Sequence, residues 1–438
     1  MNEPGVIRKL SLRLLIAAAL PAVYAGSACA GGFSLYEIGT ADVGLAAAGY
    51  AARAQDPATV LTNPAGMTRL EGTQVLLGAQ LLYGDAGLSL GSTPPAGTAG
   101  GGNGGNPIGW LPGGGAFVSH SISPSLSVGL AIGSNFGGAA KYDDDWAGRY
   151  YVRESTLLGL SLMPSIAYRV TDHLSVGATL NAMYGIMKTR VAVNNFAPGY
   201  GDGELKLDDK RWGYGVNVGL LYEVNRATRF GLTYSSQVDL DFTAHAQFNG
   251  LAPGLDAVLA ARGLRDANIN MGIKVPQGVM GSFFHQLDEH WAVLGNVGWQ
   301  QWSKFGQVDV GVESNNPTSL TSQLNLKDTW HGALGAQYNQ GGTWVYSFGM
   351  AYDSRFQQSD HASPAMPAND ALRVGIGAQK QSSRDFSWGV AAEYLYGGSL
   401  SVNKQSVLPV ALGGRGDLVA SYGHPDAFFL SANWNWKL

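Results

Sequence analysis

The sequence predicts an all-β transmembrane antiparallel β-barrel of about 14 strands, with an N-terminal plug, or hatch, inside the lumen. Three observations predict it. Long runs alternate apolar and polar residues with period two. The 438 residues include 62 Gly, 11 Trp, 19 Tyr and 15 Phe, a composition that suits many strands, tight turns and aromatic interface girdles. The chain opens with a secretory leader yet has no apolar run of the ~20 residues that a spanning helix needs.

The leader occupies residues 1–30. Arg8, Lys9 and Arg13 form a basic start, Leu14 to Ala25 an apolar core, and Ala28-Cys29-Ala30 a small-residue cleavage site. Cys29 is the one cysteine, so a chain cut after Ala30 has no disulfide, thiolate nucleophile or Cys-ligated metal. Taking the leader's three basic residues and Glu3 from 28 basic and 32 acidic residues leaves a net charge of −6. That argues against a nucleic-acid partner, which wants a basic surface.

Residues 31–70 are rich in Ala and Gly and do not alternate like a barrel strand. Their expected place is the lumen, as the plug. The barrel proper is expected over 71–438. Fourteen segments carry the alternation: 71–83, 114–123, 125–136, 155–170, 173–191, 210–225, 227–243, 270–287, 290–305, 324–340, 343–353, 370–381, 385–402 and 425–438. In the last, Phe428, Leu430, Ala432, Trp434, Trp436 and Leu438 share one face against Ser431, Asn433, Asn435 and Lys437. Such runs exceed the modal ~5–6 residues of soluble strands and reach the ~9–11 that cross a bilayer while tilted. An even number of strands closes a barrel, which removes sheet edges from lipid.

Tight turns such as Thr171-Asp172, Asn225-Arg226 and Asp288-Glu289 alternate with long connections at 84–113, 137–154, 192–209, 244–269, 306–323, 354–369 and 403–424. The tight ones belong on the periplasmic side and the long ones outside. The stretch 97–105 (GTAGGGNGG) lacks the Gly-Lys-Ser/Thr ending of a phosphate loop and reads as flexible loop. Leu251 to Leu264 has apolar residues at near-helical spacing, so a short amphipathic helix is expected there. Leu255 and Leu259 are its candidate ligand-facing residues, either in an outer groove or in a cap over the barrel.

With these elements in place, the chain resembles the FadL/TodX family of outer-membrane transporters for long-chain fatty acids and other hydrophobic compounds. Gly32-Phe33, Glu37, Gly44, Ala46, Gly49 and Asn63-Pro64-Ala65 look like the family's N-terminal hatch and its NPA motif. Arg211-Trp212-Gly213-Tyr214-Gly215 through Leu232-Thr233-Tyr234 resembles its central hairpin, and Lys327-Asp328 before Ala333-Leu334-Gly335 a later strand. The resemblance covers nearly the whole mature chain. It implies a plugged fourteen-stranded barrel in the bacterial outer membrane. It also implies a kink in the third strand, matched here by Ser134 and by Asn135, Phe136, Gly137 and Gly138, that opens the wall sideways. Cargo would pass from outside into an apolar lumen pocket and leave laterally into the membrane. Two features depart from the family: the 192–209 loop looks short beside fatty-acid members, and the final residue is Leu438 rather than an aromatic.

Other candidates are weighed on their chemistry. Asn63, Pro64 and Ala65 are the candidate gating turn, although Asn-Pro also starts ordinary turns. Phe33 is a candidate ligand contact at the mature start. Lys188 and Arg190, two residues apart on the fifth strand, could hold a carboxylate in the lumen or face water and lipopolysaccharide at the rim. Asp143-Asp144-Asp145 lacks the alternating ligands of a Ca²⁺ loop. The eight histidines form no metal-spaced pair, and His120 beside Ser119 and Ser121 cannot make a hydrolytic dyad, because adjacent strand residues point to opposite faces. No enzyme activity, metal or cofactor is expected. The expected partners are a hydrophobic small molecule (a fatty acid, or alternatively an aromatic hydrocarbon), outer-membrane lipid and lipopolysaccharide, and the barrel assembly machinery. The chain is expected to act as a monomer. A general water-filled porin is the competing reading.

Overall fold

The computed structural model describes residues 36–91, 99–315, 318–358 and 362–438. The leader and Phe33 lie outside them. Fourteen antiparallel strands close into a ring, numbered here in chain order. They are β1 (Thr73–Asp85), β2 (Gly109–Ser121), β3 (Leu126–Lys141), β4 (Glu154–Arg169), β5 (Leu174–Val193), β6 (Gly203–Glu223), β7 (Thr228–Ser235), β8 (Gly278–Gln286), β9 (Trp291–Gln300), β10 (Thr329–Asn339), β11 (Trp344–Asp353), β12 (Ala371–Ser383), β13 (Phe386–Gly397) and β14 (Asp426–Lys437). Each pairs with its chain neighbours, and β1 pairs with β14 from Gln74↔Lys437 to Asp85↔Asp426 to complete the circle. Each of the fourteen alternating segments of the sequence therefore contains one barrel strand.

The alternation has a physical cause on both sides. On β6, Tyr214, Val216, Val218, Leu220 and Tyr222 point outward and are exposed, while Gly213, Asn217 and Leu221 point inward and are buried. Outward Phe348, Met350, Val374 and Ile376 continue the apolar belt on β11 and β12. Aromatics ring the turn end, where Trp344 stacks on Tyr346 and packs against Trp388, and Trp291 packs against Tyr338. A second group, including Tyr83 against Trp110 and Tyr184 against Trp212, sits toward the loop end. An apolar band between two girdles is what a bilayer requires of a barrel. No helix among the described residues is long and apolar enough to cross a membrane.

Two segments, 227–243 and 270–287, belong to the ring only in part, with Val238–His245 and Asn268–Val275 lying outside it. The even positions of 230–242 share one face of the chain, yet Phe230, Leu232 and Tyr234 are exposed while Val238, Leu240 and Phe242 are buried. The reason is a change of surroundings at Ser236. There the chain leaves β6 and continues as a strand, Val238–His245, that crosses on the inner side of β6. Gly213 makes the crossing feasible, since a Cβ on it would collide with the Asp239 carbonyl and the Val238 side chain. The crossing strand joins Asn268–Val275, Gln307–Glu313 and Thr318–Gln323 in a second sheet of four strands. Its apolar face packs on Met183, Met187, Leu205 and Leu207 of β5 and β6, and forms the largest buried cluster among the described residues.

Residues 36–70 lie inside the ring and are buried almost throughout. They form three short helical turns (Ala41–Leu45, Thr59–Thr62, Pro64–Arg69). Inward polar side chains of many strands satisfy their backbone. The Gly39 amide donates to Gln80 on β1, Gly49 to Asn296 on β9 and Ala51 to Ser282 on β8, each at 2.8–2.9 Å.

This environment fixes the outcome of two substitutions. Val218→Arg puts a charge on the lipid face and should destabilise the barrel by about 2–4 kcal/mol in urea titrations of vesicle-inserted protein. Ser347→Ala, which removes a buried lumenal hydroxyl lacking a partner among the described residues, should leave the midpoint unmoved.

Candidate functional site

The barrel wall is interrupted at one side. The β2–β3 ladder runs from Ser121↔Ser127 to Gly115↔Gly133 and ends there. Above it, Gly109–Gly114 of β2 stays paired with β1, and Phe136–Lys141 of β3 stays paired with β4. A register shift on β3 marks the departure: Gly133 faces Ser161, but Phe136 faces Gly159, so β3 carries one extra residue. This is a bulge, which bends a strand and ends local pairing. The Lys141 amide donates to the Pro107 carbonyl at 2.7 Å and closes the interruption at its top. The result is a framed window between β2 and β3. Gly137 adopts φ +115°, which a side chain would strain. Asn135, Phe136, Gly137 and Gly138, singled out from the sequence, are thus all in the displaced part of β3.

A small cavity adjoins the window inside the barrel. It measures about 100 Å³, and its lining includes Asn135, Phe136, Met183, Asn181, Tyr36 and Tyr50. The Asn135 Oδ1 is buried with no hydrogen-bond partner among the described residues. Phe136 stacks on Trp302 with centroids 6.4 Å apart, and Trp302 meets Phe305 at 5.1 Å and Phe356 at 5.4 Å.

A second cavity of about 70 Å³ lies at the outer end. Leu255 and Leu259 line it from the helix Pro253–Ala261, which realises the helix expected over 251–264. Val191, Val193, Phe196 and Phe248 complete its apolar lining. The 192–209 connection is shorter still in the structure, because β5 runs to Val193 and β6 begins at Gly203. Its apolar residues nevertheless reach the cavity. Val193 and Phe248 also pack against the buried cluster that contains Phe242, Met187, Met183 and Phe136. Apolar side chains are therefore continuous from the outer cavity to the inner one. A roomier concavity of about 1280 Å³ lies on the outside of the wall around Val297, Leu334 and Phe348, where it opens to lipid rather than to the lumen.

Lys188 and Arg190 do not face the lumen. They share the outer face of β5 with Leu180, Tyr184 and Ile186, opposite the buried Met183 and Met187. Arg190 pairs with Glu204 at 2.6 Å and Glu154 at 3.5 Å on the neighbouring strands. Of the two alternatives, the lumenal carboxylate clamp is corrected and the outward rim position stands, and the parity of the strand is the reason.

Asn63 organises the lower end of the inner segment. Its Nδ2 donates to the carbonyls of Ala51 (2.6 Å) and Leu220 on β6 (2.9 Å), and its Oδ1 accepts from the Ala65 amide (3.1 Å). Pro64 starts the following turn, where its missing N–H costs nothing. Arg229 on β7 donates to the Ala52 carbonyl at 2.6 Å and to that of Arg53, and lies 3.6 Å from the Phe284 ring. Arg53 pairs with Asp42 and Asp56, both at 2.7 Å. Burial opposes the Arg53 charge, but the two carboxylates outweigh it and hold the guanidinium above its ordinary range.

The upper end carries a cluster that sequence reasoning missed. Glu37 meets Arg373 of β12 at 3.1 Å. Arg373 also holds Asp353 of β11 at 2.7 Å and Glu393 of β13 at 3.5 Å. His331 of β10 meets Asp353 at 2.7 Å, and Tyr36 packs on the His331 ring at 4.3 Å. Burial, countered only in part by Arg373, pushes the Glu37 carboxyl above its usual range. The available signal was parity: Arg373 and Glu393 are charges on inward positions. Among the described residues, no group of three or more His, Cys, Asp and Glu could hold a metal.

Asn63→Ala strips three buried backbone groups of their partners. We expect it to loosen residues 51–66 by about 2 kcal/mol or more, read as faster amide hydrogen exchange there while the ring strands keep their protection.

Comparisons with known proteins agree with this geometry. Residues 21–435 match the family model "Outer membrane protein transport protein (OMPP1/FadL/TodX)". The long-chain fatty acid transport protein of Escherichia coli K12 is 26% identical over 431 residues, covering 89% of this chain and 93% of that one. A FadL homologue from Pseudomonas aeruginosa superposes with a TM-score of 0.79 at 20% identity, covering 93% and 99% of the two chains. The Ralstonia pickettii toluene transporter TbuX superposes with 0.65 at 18%, covering 92% and 100%.

Proposed function

This chain belongs to the OMPP1/FadL/TodX family of outer membrane transport proteins, and from that premise we propose that it takes up hydrophobic molecules passively across the bacterial outer membrane, long-chain fatty acids first among them. The observation that carries this reading is the continuity of apolar side chains from the outer cavity at Leu255 and Leu259 to the inner one at Phe136, beside the β2–β3 window. A hydrophobic molecule leaves water at the outer cavity, where apolar contact is favourable. It moves along the Phe248, Phe242 and Met183 track, where flexible side chains such as Met re-pack at low cost. It then leaves sideways through the window into the membrane, so its apolar part never crosses a water-filled lumen.

Residues 36–70 act as the plug in this scheme, with Asn63, Pro64 and Ala65 as its lower anchor. A filled ring favours this reading over the general porin. The likeness to a toluene transporter concerns the fold; the same route would also suit aromatic hydrocarbons. Lipid and lipopolysaccharide are the natural surroundings of the exposed belt and loops, and the chain works as a monomer.

The test is uptake of radiolabelled oleate and toluene by cells lacking their own transporter of this class. Deleting Asn135 removes the extra residue that displaces β3 and is expected to cut uptake about tenfold or more at unchanged membrane levels. Leu259→Asp, at the outer cavity, should instead raise the concentration needed for half-maximal uptake. Unchanged uptake after the Asn135 deletion would remove the window from the route. Conductance of hydrophilic ions through the intact protein would revive the porin.

A further inference from the structure

The small cavity beside the window is lined more by polar than by apolar side chains. Asn181 of β5, Asn217 of β6 and Thr233 of β7 reach it from three adjacent strands, because all three have the parity of the buried lumenal face. Asn135 joins them from the displaced part of β3, and Tyr36 and Tyr50 from the inner segment. Among the described residues, no Lys, Arg, His, Asp or Glu lines this cavity. Lys188 and Arg190, the cations of β5, face the other way.

These side chains are not all used in holding the inner segment. Gln80, Asn296 and Ser282 each accept from one of its amides. Asn181 is 6% exposed, yet its Oδ1, like that of Asn135, has no hydrogen-bond partner among the described residues. A buried acceptor without a donor is costly, so both suit a ligand that brings one. Charge is disfavoured there. An ionised group would be buried with no counterion in the lining. The guanidinium of Arg373 lies behind Tyr36, 5.6 Å from its ring, but it is shared among Glu37, Asp353 and Glu393 and is committed before any ligand arrives. Burial, with Asp353 beside Tyr36 and Asp42 near Tyr50, holds both phenols above their ordinary range, so they stay uncharged too.

We propose that this cavity is a subsite for an uncharged hydrogen-bonding group at one end of an otherwise apolar cargo, such as the hydroxyl of a long-chain alcohol or the protonated carboxyl of a fatty acid, and not for a carboxylate. A volume of about 100 Å³ holds such a head group and a few carbons, not a whole long-chain cargo. Phe136, Met183 and Val238 line the same cavity and belong to the apolar cluster that leads to the outer end, so the tail lies along that cluster. A hydroxyl both donates and accepts, and it therefore suits the Asn181 and Asn135 amides in either orientation. The inference rests on the uptake reading and adds the form in which cargo lodges at the window. A carboxylate must take up a proton to lodge there, whereas an alcohol need not.

The experiment is equilibrium binding to the intact protein in lipid vesicles, not uptake. Radiolabelled 1-dodecanol, dodecane and dodecanoate, the last at alkaline pH where it is ionised, are bound by the native protein and by Asn181→Leu. The substitution keeps the approximate size of the side chain and removes its polar atoms. Comparing two proteins in the same vesicles cancels partition of each ligand into lipid. Dodecanol is expected to bind the native protein about tenfold more tightly than Asn181→Leu, the scale of one or two hydrogen bonds. Dodecane and ionised dodecanoate should not distinguish the two. Asn217→Leu, on the neighbouring strand, gives the same comparison if Asn181→Leu does not fold. A preference of ionised dodecanoate for the native protein as strong as that of dodecanol would overturn the proposal. Dodecanol binding unmoved by both substitutions, or no binding of any of the three, would overturn it as well. Uptake of oleate and toluene by cells is read separately, so the subsite can fail while the uptake reading stands.

Discussion

Backbone pairing in hydrocarbon is the constraint on which the rest of this structure depends. No water reaches the bilayer core, so every amide and carbonyl there must find its partner within the protein. Closure of fourteen strands meets that demand, and β1 paired along its length with β14 leaves no edge. The requirement explains the even strand number, the length of the strands and the confinement of irregular backbone to the two ends and the interior. It also makes the β2–β3 window costly. Its cost is contained because each of the two strands keeps its other neighbour: Gly109–Gly114 stays on β1 and Phe136–Lys141 stays on β4. The ladder between β2 and β3 lapses over a short span, and the Lys141–Pro107 bond ends it.

A closed ring of this size leaves a lumen that side chains of the strands alone do not fill. Residues 36–70 occupy part of it, and this turns the inward face into a mixed surface. Small residues admit the segment's backbone. Gly349, for example, lies so close to the Leu45 carbonyl that a Cβ would clash. Amide and hydroxyl side chains such as Gln80, Asn296 and Ser282 satisfy its amides. The inward half of the period-two pattern is therefore not simply polar. It is glycine where backbone approaches and a hydrogen-bonding side chain where backbone needs a partner.

Much of this was legible in the sequence, and parity marks where legibility stopped. The fourteen segments could be read because each must alternate between lipid and lumen over a bilayer's thickness. The bulge in β3 was accessible through a family resemblance and the Gly137-Gly138 pair. What alternation cannot give is the identity of the medium on each side. It placed Phe230 and Phe242 on one face correctly, yet one meets lipid and the other the crossing strand's core. For the same reason Lys188 and Arg190 kept both a lumenal and a rim reading until the ring fixed the parity of β5. The Glu37–Arg373 contact joins residues 336 apart. Nothing local encodes it, and only closure of the ring brings β10 to β13 against the inner segment.

The interruption of the wall lies beside the inner segment, since Tyr36 lines the same small cavity as Asn135 and Phe136. A window in a membrane barrel is a liability if it is always open, because backbone in hydrocarbon needs a partner. For an apolar cargo, an exit toward lipid would cost least, since each step exchanges one apolar environment for another.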